Sequence, residues 1–505
     1  MNPRTLRAAL AALVLSLPVA AVAQTPGATP GATLDIATDQ SPVGLDPHIA
    51  TAFSTALITG NIYEGLTAID RDLLVVPALA QSWTISDDGL IYVFRLRPDA
   101  TFHNGRKMTA ADVVASIARV RDPKTASPLA SRFAAVAGVT AGDDGTVAIK
   151  LETRSAPFLN QLATLAIVAP EAVSELARKP VGTGPFQLRE WVPDTFILLE
   201  RNAAYWAAGL PRLGGLKFHI VPEAATRQIG INGGTYRLLP GLDAATATAL
   251  ANRPGVALMQ AQDLAYSLVG LNTSRPPFDR PVVREAFNMA IDRAQLVQAA
   301  YFGRAVPGGP LSPALTGWAL PVAEFPCYKP DAAGAAKKLA EAGVAGRLKV
   351  TLNVLGSLQQ VVDVAQVVQA QLNKAGFDAQ LNVQEQGKFI ADWRASNFEA
   401  FVSLNGGGAD PDDYFGRTFQ TGGATNVYKY SNPDLDKLLI DGRAEADPGR
   451  RRADYQQAQR ILACTGPVVH LAYGTLFTAL RSDVSGFQPM ATRSLWYLRE
   501  ATLSK

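Results

Sequence analysis

Histidine and cysteine are scarce in this sequence: four and two residues among 505. His48, His103, His219 and His470 stand far apart, with no metal-ligand spacing, so no metal site is expected. GxSxG elbows, HExxH pairs, P-loops and CxxC motifs are also missing. Catalytic groups can converge from distant positions, yet nothing here announces nucleophilic, metal-assisted or redox chemistry. The sequence is therefore not read as an enzyme, and no cofactor is expected. The stretches VGTGPF and LNGGGADPDD are glycine-rich, but neither reads as the opening of a helix that would cradle a phosphate.

An excess of charge of either sign is missing too. Lys and Arg total 47 and Asp and Glu 44, which gives no electrostatic case for nucleic acid or an anionic membrane. Charged residues make up 18% and hydrophobic ones 48%, the balance of a core-forming chain rather than a disordered one. Its length is enough for two or three domains. The run Arg450-Arg451-Arg452 is most simply a solvated helix start, since DPGRRRADYQQAQRIL continues amphipathically.

Long apolar runs are confined to the first residues. MNPRTLR is followed by an apolar stretch from Ala8 to Val22 and then by small residues, with AVA at Ala21 to Ala23. This pattern predicts a cleaved signal peptide over residues 1–23, with the mature chain starting at Gln24. The run is too short and alanine-rich to span a bilayer comfortably. No cysteine lies near the cleavage point, so a lipid anchor is not expected. The leader holds Arg4 and Arg7 and no acid, so its removal lowers the formal charge from +3 to about +1. In an oxidising compartment Cys327 and Cys464 form a possible disulfide; two buried thiols are the alternative.

What is present alternates. LKVTLNVLG, QVVDVAQVVQAQLNKAG and FDAQLNVQEQ read as strand, helix and strand. Val364, Val367, Val368 and Leu372 form one helical stripe, with Gly376 at the stop. This predicts an α/β fold with a largely parallel sheet. The first third is richer in hairpins. In SWTISDDGLIYVFRL, Tyr92, Phe94 and Leu96 share one face across an Asp-Asp-Gly turn. The next stretch, TFHNGRKMTAADVV, puts Asn104-Gly105 in a turn and Thr109 at a helix start with Asp112 three residues on. His103 in such a turn is expected to bond neighbouring backbone.

That stretch, within VPALAQSWTISDDGLIYVFRLRPDATFHNGRKMTAADVVASIARVRDP, resembles the second subdomain of the family 5 solute-binding proteins, the extracytoplasmic receptors of peptide, opine and nickel-chelate ABC importers. LDPHIATAFSTALITGNIYEGL, VGTGPFQLREWVPDTFILLERNAAYWAAGLPRL, VGLNTSRPPFDRPVVREAFNMAIDRAQLV, ADPDDYFGRTF and NPDLDKLLIDGRAEADPGRRRADYQQAQRIL resemble further family segments, in family order, over nearly all of residues 33–500. The resemblance implies an α/β, two-lobed periplasmic binding protein with an inserted subdomain in the first lobe and two inter-lobe crossings. Domain I would comprise residues 33–66, 185–268 and 476–505, after a flexible lead at 24–32. The inserted subdomain would cover 67–184 and domain II 269–475. The implied partners are a small-molecule ligand, an oligopeptide, opine or similar solute, and an ABC permease in the inner membrane. The chain would act as a periplasmic monomer. A secreted enzyme or an exported chaperone is the alternative.

Ligand-side candidates follow. In SLNGGGADPDDYFGRTF, Asn405, Gly407 and Gly408 would let backbone approach a ligand, and Asp410 could pair with a ligand amine. The alternative is a turn, with Asp410 capping the following helix. Peptide-binding relatives often carry a tryptophan in this loop, where Asn405 and Gly406 stand here. Nickel-chelate relatives carry an arginine where Leu165-Ala166 stand. Ser41, Phe53 and Tyr63 could face the cleft from domain I, although Phe53 and Tyr63 suit a core better. Tyr266, before the first crossing, could stack on a ligand or pack in the hinge. Arg132 could meet a ligand carboxylate or serve the surface.

Overall fold

The computed structural model describes residues 31–504. The expected leader, and all of the lead before Gly31, lie outside the described residues.

One eleven-stranded sheet runs through the molecule. Two antiparallel strands at its centre, Val256–Leu271 and Val468–Arg481, are far longer than the rest. Beside one end of this pair lie Leu238–Leu242, Thr33–Thr38, Gly215–Ile220 and the hairpin Phe196–Arg201 with Phe186–Val192. Beside the other end lie Ala400–Asn405, Leu348–Leu355 and Phe377–Gln384. Each end carries its own helices and its own buried cluster, so the long strands join two lobes. Between the lobes their ladder loses register, from Gln262 to Tyr266 and again from Ser267 to Leu268. Such a break bends and twists a strand pair locally. Gln262 fills part of the gap, its Nε2 donating to the carbonyls of Tyr473 (3.3 Å) and Gly474 (2.7 Å).

The second lobe shows why its sequence folds as it does. Leu348–Leu355 and Phe377–Gln384 pair in parallel across the helix Gln359–Lys374. Val364, Val368 and Leu372 are fully buried and Val367 partly so, which is the expected stripe. Burying each such side chain contributes roughly 1.5–3 kcal/mol, so a charge at Val368 would unseat the helix. Gly376, at φ +89°, makes the reversal into the next strand.

A separate four-stranded antiparallel sheet, built from Ala80–Ile85, Ile91–Leu96, Thr146–Leu151 and Val136–Ala141, sits on the first lobe. Tyr92, Phe94 and Leu96 point into its core with Val113 and Ile117 of the helix Ala110–Arg121. Asp112 Oδ2 accepts the Thr109 N–H at 2.7 Å and fixes the start of that helix. His103 is committed to backbone: Nε2 lies 3.0 Å from the Gly184 carbonyl, and Nδ1 accepts the Gly182 N–H at 3.3 Å. It ties this unit to the segment that returns to the first lobe.

The arginine run is not uniformly solvated. Arg450 is exposed beside Glu445, whereas Arg451 is buried in an ion pair with Asp410, 2.7 Å from Nη2 to Oδ1. The helix Pro448–Thr465 packs against the second lobe, and position 451 faces inward. A disulfide joins Cys464, near the end of that helix, to Cys327, with Cα atoms 5.6 Å apart. Among the described residues, no helix is long and apolar enough to cross a membrane.

Candidate ligand-binding cleft

Strand direction defines the site. In the first lobe Leu238 pairs with Leu480 and Leu242 with Phe477, so this strand runs toward the register break. Thr33–Thr38 is parallel to it, and Gly215–Ile220 is parallel to Thr33–Thr38. In the second lobe Ala400 pairs with Leu271 and Asn405 with Tyr266, so that strand also runs toward the break, as do the parallel Leu348–Leu355 and Phe377–Gln384. Parallel strands from both lobes therefore end facing one zone. In open α/β sheets the crevice beyond such carboxyl ends is where ligands bind. Exposed apolar side chains stand beside these ends: Val43 and Phe53 in the first lobe, Leu358 and Leu404 in the second. Two surface hollows, of about 390 and 490 Å³, lie elsewhere and include none of these strand ends.

The structure brings some expected residues to this zone and not others. Ser41 follows the end of Thr33–Thr38, where its Oγ accepts the Asp194 N–H at 3.3 Å. Tyr63 is buried in the core of the first lobe and stays away from the cleft. Phe53 is 61% exposed, against the expectation of a core position, because it opens its helix on the lobe surface. The Arg493 guanidinium lies over its ring, 4.8 Å from the centroid. Tyr266 is only 1% exposed and packs among Tyr414, His470 and Tyr473, which leaves its ring no face for a ligand. Burial pushes its phenol up to about 12, and its Oη accepts from Asn405 Nδ2 at 3.0 Å. Asn405 and Tyr266 are thus joined at the hinge end of the second lobe.

The glycines of the loop have packing reasons. A Cβ on Gly407 would stand 1.9 Å from Tyr414 Cζ, and one on Gly408 1.9 Å from Asp413 Oδ2. Gly406 alone of the three would meet nothing within 4 Å and borders open space. A helix, Asp412–Phe419, does follow this loop, as the alternative reading of Asp410 had it. Three carboxylates at that start, Asp410, Asp412 and Asp413, still exclude a phosphate.

Asp410 does not offer a free carboxylate. It is 5% exposed, and Arg451 Nη1 and Nη2 donate to its two oxygens at 2.9 and 2.7 Å. Oδ1 also accepts the Asp412 N–H, an amide of the first helical turn, at 2.8 Å. Asp412 is held by Arg443, through Nε at 3.0 Å and Nη2 at 3.1 Å, and by the Tyr455 hydroxyl at 3.0 Å. The Arg443 carbonyl in turn accepts the Ala156 N–H at 2.8 Å, so the four-stranded unit reaches the second lobe beside this loop. Reading the sequence alone singled out Asp410 and passed over Asp413, and only the partners distinguish them.

Residues 75–426, more than half of the chain, match the family described as bacterial extracellular solute-binding proteins, family 5. The chain is 29% identical over 476 residues to the glutathione-binding protein GsiB of Escherichia coli K12, covering 88% of this chain and 89% of that one. Among solved structures it is similar to the ABC transporter-associated periplasmic binding protein DppA of Helicobacter pylori in complex with the peptide STSA. That match has 28% identity and a TM-score of 0.81, over 94% of this chain and 99% of the other. It also shares the fold of the ABC transporter substrate-binding protein CtaP of Listeria monocytogenes, at TM-score 0.85 and 24% identity, over 94% and 100% of the two chains. The chain belongs to the family 5 solute-binding proteins, and its architecture is that of a two-lobed periplasmic binding protein.

Proposed function

We propose that this family 5 solute-binding protein captures one small peptide-like solute between its lobes and presents the closed form to an ABC permease in the inner membrane. Binding proceeds without turnover, in the periplasm, by a monomer exported through a cleaved leader. The observation that carries this reading is the convergence of parallel strand ends from two lobes that are joined through a two-strand connection with broken register. A solute placed there gains contacts with both lobes only when they close, so binding shifts an open–closed equilibrium by the extra affinity of the closed form. Similarity to glutathione- and peptide-binding relatives supports the solute class.

The register break at Gln262–Tyr266 and its partner Tyr473 support dividing the chain near the proposed limits: 33–66, 185–268 and 476–505 in the first lobe, 67–184 inserted, and 269–475 in the second. The test is native mass spectrometry of protein purified from the periplasm, with scattering before and after the solute is removed. A single small solute per chain and a more compact loaded form are expected. Chemical conversion of the solute, or identical scattering curves, would overturn the reading.

A further inference from the structure

Two short strands share one edge of Val468–Arg481, the edge away from Val256–Leu271. In the first lobe this edge takes Leu238–Leu242, with Leu242 opposite Phe477. In the second lobe it takes Ala305–Pro307, with Ala305 opposite Gly474. Between Gly474 and Phe477 the lobes part, and a surface hollow of about 490 Å³ opens there. Ala245 and Thr248 wall it from the first lobe, and Phe302, Gly303 and Arg304 from the second. The first two lie on the helix Ala244–Leu250, whose Ala247 and Leu250 share a first-lobe core cluster with Phe477. The other three follow the helix Arg293–Tyr301, whose Leu296, Val297 and Ala300 belong to the second-lobe core.

The side chain of Arg304 crosses from one lobe to the other. Its Nε donates to Thr248 Oγ1 at 2.9 Å, and its guanidinium carbon lies 5.4 Å from the centroid of the Phe477 ring. Thr248 Oγ1 itself donates to the Ala244 carbonyl at 2.7 Å, so the hydroxyl is fixed and accepts from Arg304. Arg304 is fixed as well. Phe302 and Gly303, at φ +53° and +72°, turn the chain from helix into strand within two residues. The bond also runs through Nε, whose single N–H points one way, rather than through a terminal nitrogen that could follow a moving partner. Hydrogen bonds weaken steeply when stretched or bent, so this one holds at one lobe angle and fails at others. The angle is an open one. Val43, Phe53, Leu358 and Leu404, beside the facing strand ends, are 77, 61, 42 and 38% exposed, and closing over a solute would cover them.

We propose that Arg304 is a strut across the hinge that holds the solute-free protein open, so that its bond to Thr248 must break before the lobes close on a solute. This rests on the closure reading above and names a residue that sets the open–closed balance. Arg304 is a positioning residue. It stands on the opposite edge of the hinge pair from Asn405 and the loop after it, which flank Val256–Leu271. Apparent affinity scales with the fraction of chains able to bind, so a bond made only in the open form weakens binding from a distance. One hydrogen bond, net of solvent, shifts such an equilibrium by about twofold to tenfold.

The test is single-molecule energy transfer on the full chain freed of co-purified solute, with dyes on Ile229→Cys in the first lobe and Ile440→Cys in the second, both exposed positions. Cys327 and Cys464 are bonded to each other and take no dye. Thr248→Val and Arg304→Met each remove the bond and keep most of the bulk. Both are expected to raise the closed fraction of the solute-free protein by about threefold or more. Thr248→Ser keeps the hydroxyl and should match wild type. In a titration with reduced glutathione the first two variants should bind about threefold or more tightly than wild type. Thermal melts confirm that each variant is folded. A closed fraction unchanged in both variants, or weaker glutathione binding by either folded variant, would overturn the strut. Wild-type lobes that stay open with glutathione, beside variants that shift the solute-free distribution, would count against the peptide-like solute and leave the strut standing.

Discussion

Asp263 sits where the first long strand loses register, and its Oδ2 accepts from Arg493 Nη2 at 2.5 Å. Arg493 comes from the C-terminal segment at φ +64° and rests on Phe53, so the pair ties the hinge to the cleft wall of the first lobe. Asp263 also accepts the Ala265 N–H at 3.0 Å. Asp263→Asn keeps that turn bond and removes the charge. Arg493 is partly exposed and can be rehydrated, so the expected loss is about 1–2 kcal/mol, less than for a fully buried pair. Urea unfolding checks it; an unchanged midpoint would show that the pair does not stabilise the hinge.

The Asp410–Arg451 pair is more enclosed, with both side chains below 10% exposed. Removing one partner strands the other charge, and Asp410→Asn is expected to lose about 3–5 kcal/mol. The double variant Asp410→Asn with Arg451→Met should recover much of that loss. Chemical denaturation of the single and double variants checks this prediction, and additive losses would refute it.

Gly407 and Gly406 should respond oppositely to the same methyl group. Gly407→Ala drives a Cβ into Tyr414, which is 1% exposed and donates its hydroxyl to the Leu264 carbonyl at 2.8 Å. A loss of about 1–3 kcal/mol is expected. Gly406→Ala meets open space and should lie within about 0.5 kcal/mol of wild type. Melting curves for the two variants decide; equal shifts would show that the loop relaxes freely.

Acid should destabilise the fold through its buried histidines. Burial holds His103 down to about 4, and burial with Arg293 nearby holds His470 down to about 3. Both protonate near 6.5 in the unfolded chain, which therefore binds more protons below that pH. Their contribution to stability is complete above pH 6.5 and is lost as pH falls toward 4 and 3. Asp413 acts in the opposite sense: raised to about 6, it favours the folded chain as pH falls from 6 toward 4, and offsets part of the loss. His470→Phe, in a site lined by Tyr266 and Phe419, should flatten the decline between pH 7 and 5 by about 1–2 kcal/mol. Melting temperatures across that range test it, and an unchanged slope would exclude His470 as a source.

Local order was readable and partner choice was not. The helix Gln359–Lys374 and the hairpin around Asp87-Asp88-Gly89 follow from periodicity and turn residues within a few positions of one another. Arg451 looked like its solvated neighbours because its partner Asp410 lies 41 residues away. Asp410, Asp412 and Asp413 are nearly equivalent in sequence, and their difference comes from Arg451 and Arg443, with no such ion pair at Asp413 among the described residues. Phe53 and Tyr63 are both aromatics near one short helix, yet one is exposed and the other buried, a matter of which face meets the lobe core.

The shared sheet also sets an order of assembly. Val468–Arg481 lies between Leu238–Leu242 and the first-lobe half of Val256–Leu271, so the first lobe's sheet has a gap until almost the whole chain has been made. Synthesis runs from the N-terminus, and residues 272–467 must emerge before the missing strand arrives. During that interval Leu238–Leu242 and Val256–Leu271 each present an unpaired backbone edge, the kind of surface on which chains misassociate. The second lobe meets no such delay for Leu348–Leu355, Phe377–Gln384 and Ala400–Asn405, whose partners, including Val256–Leu271, all precede residue 406. The lobe begun first is thus completed last.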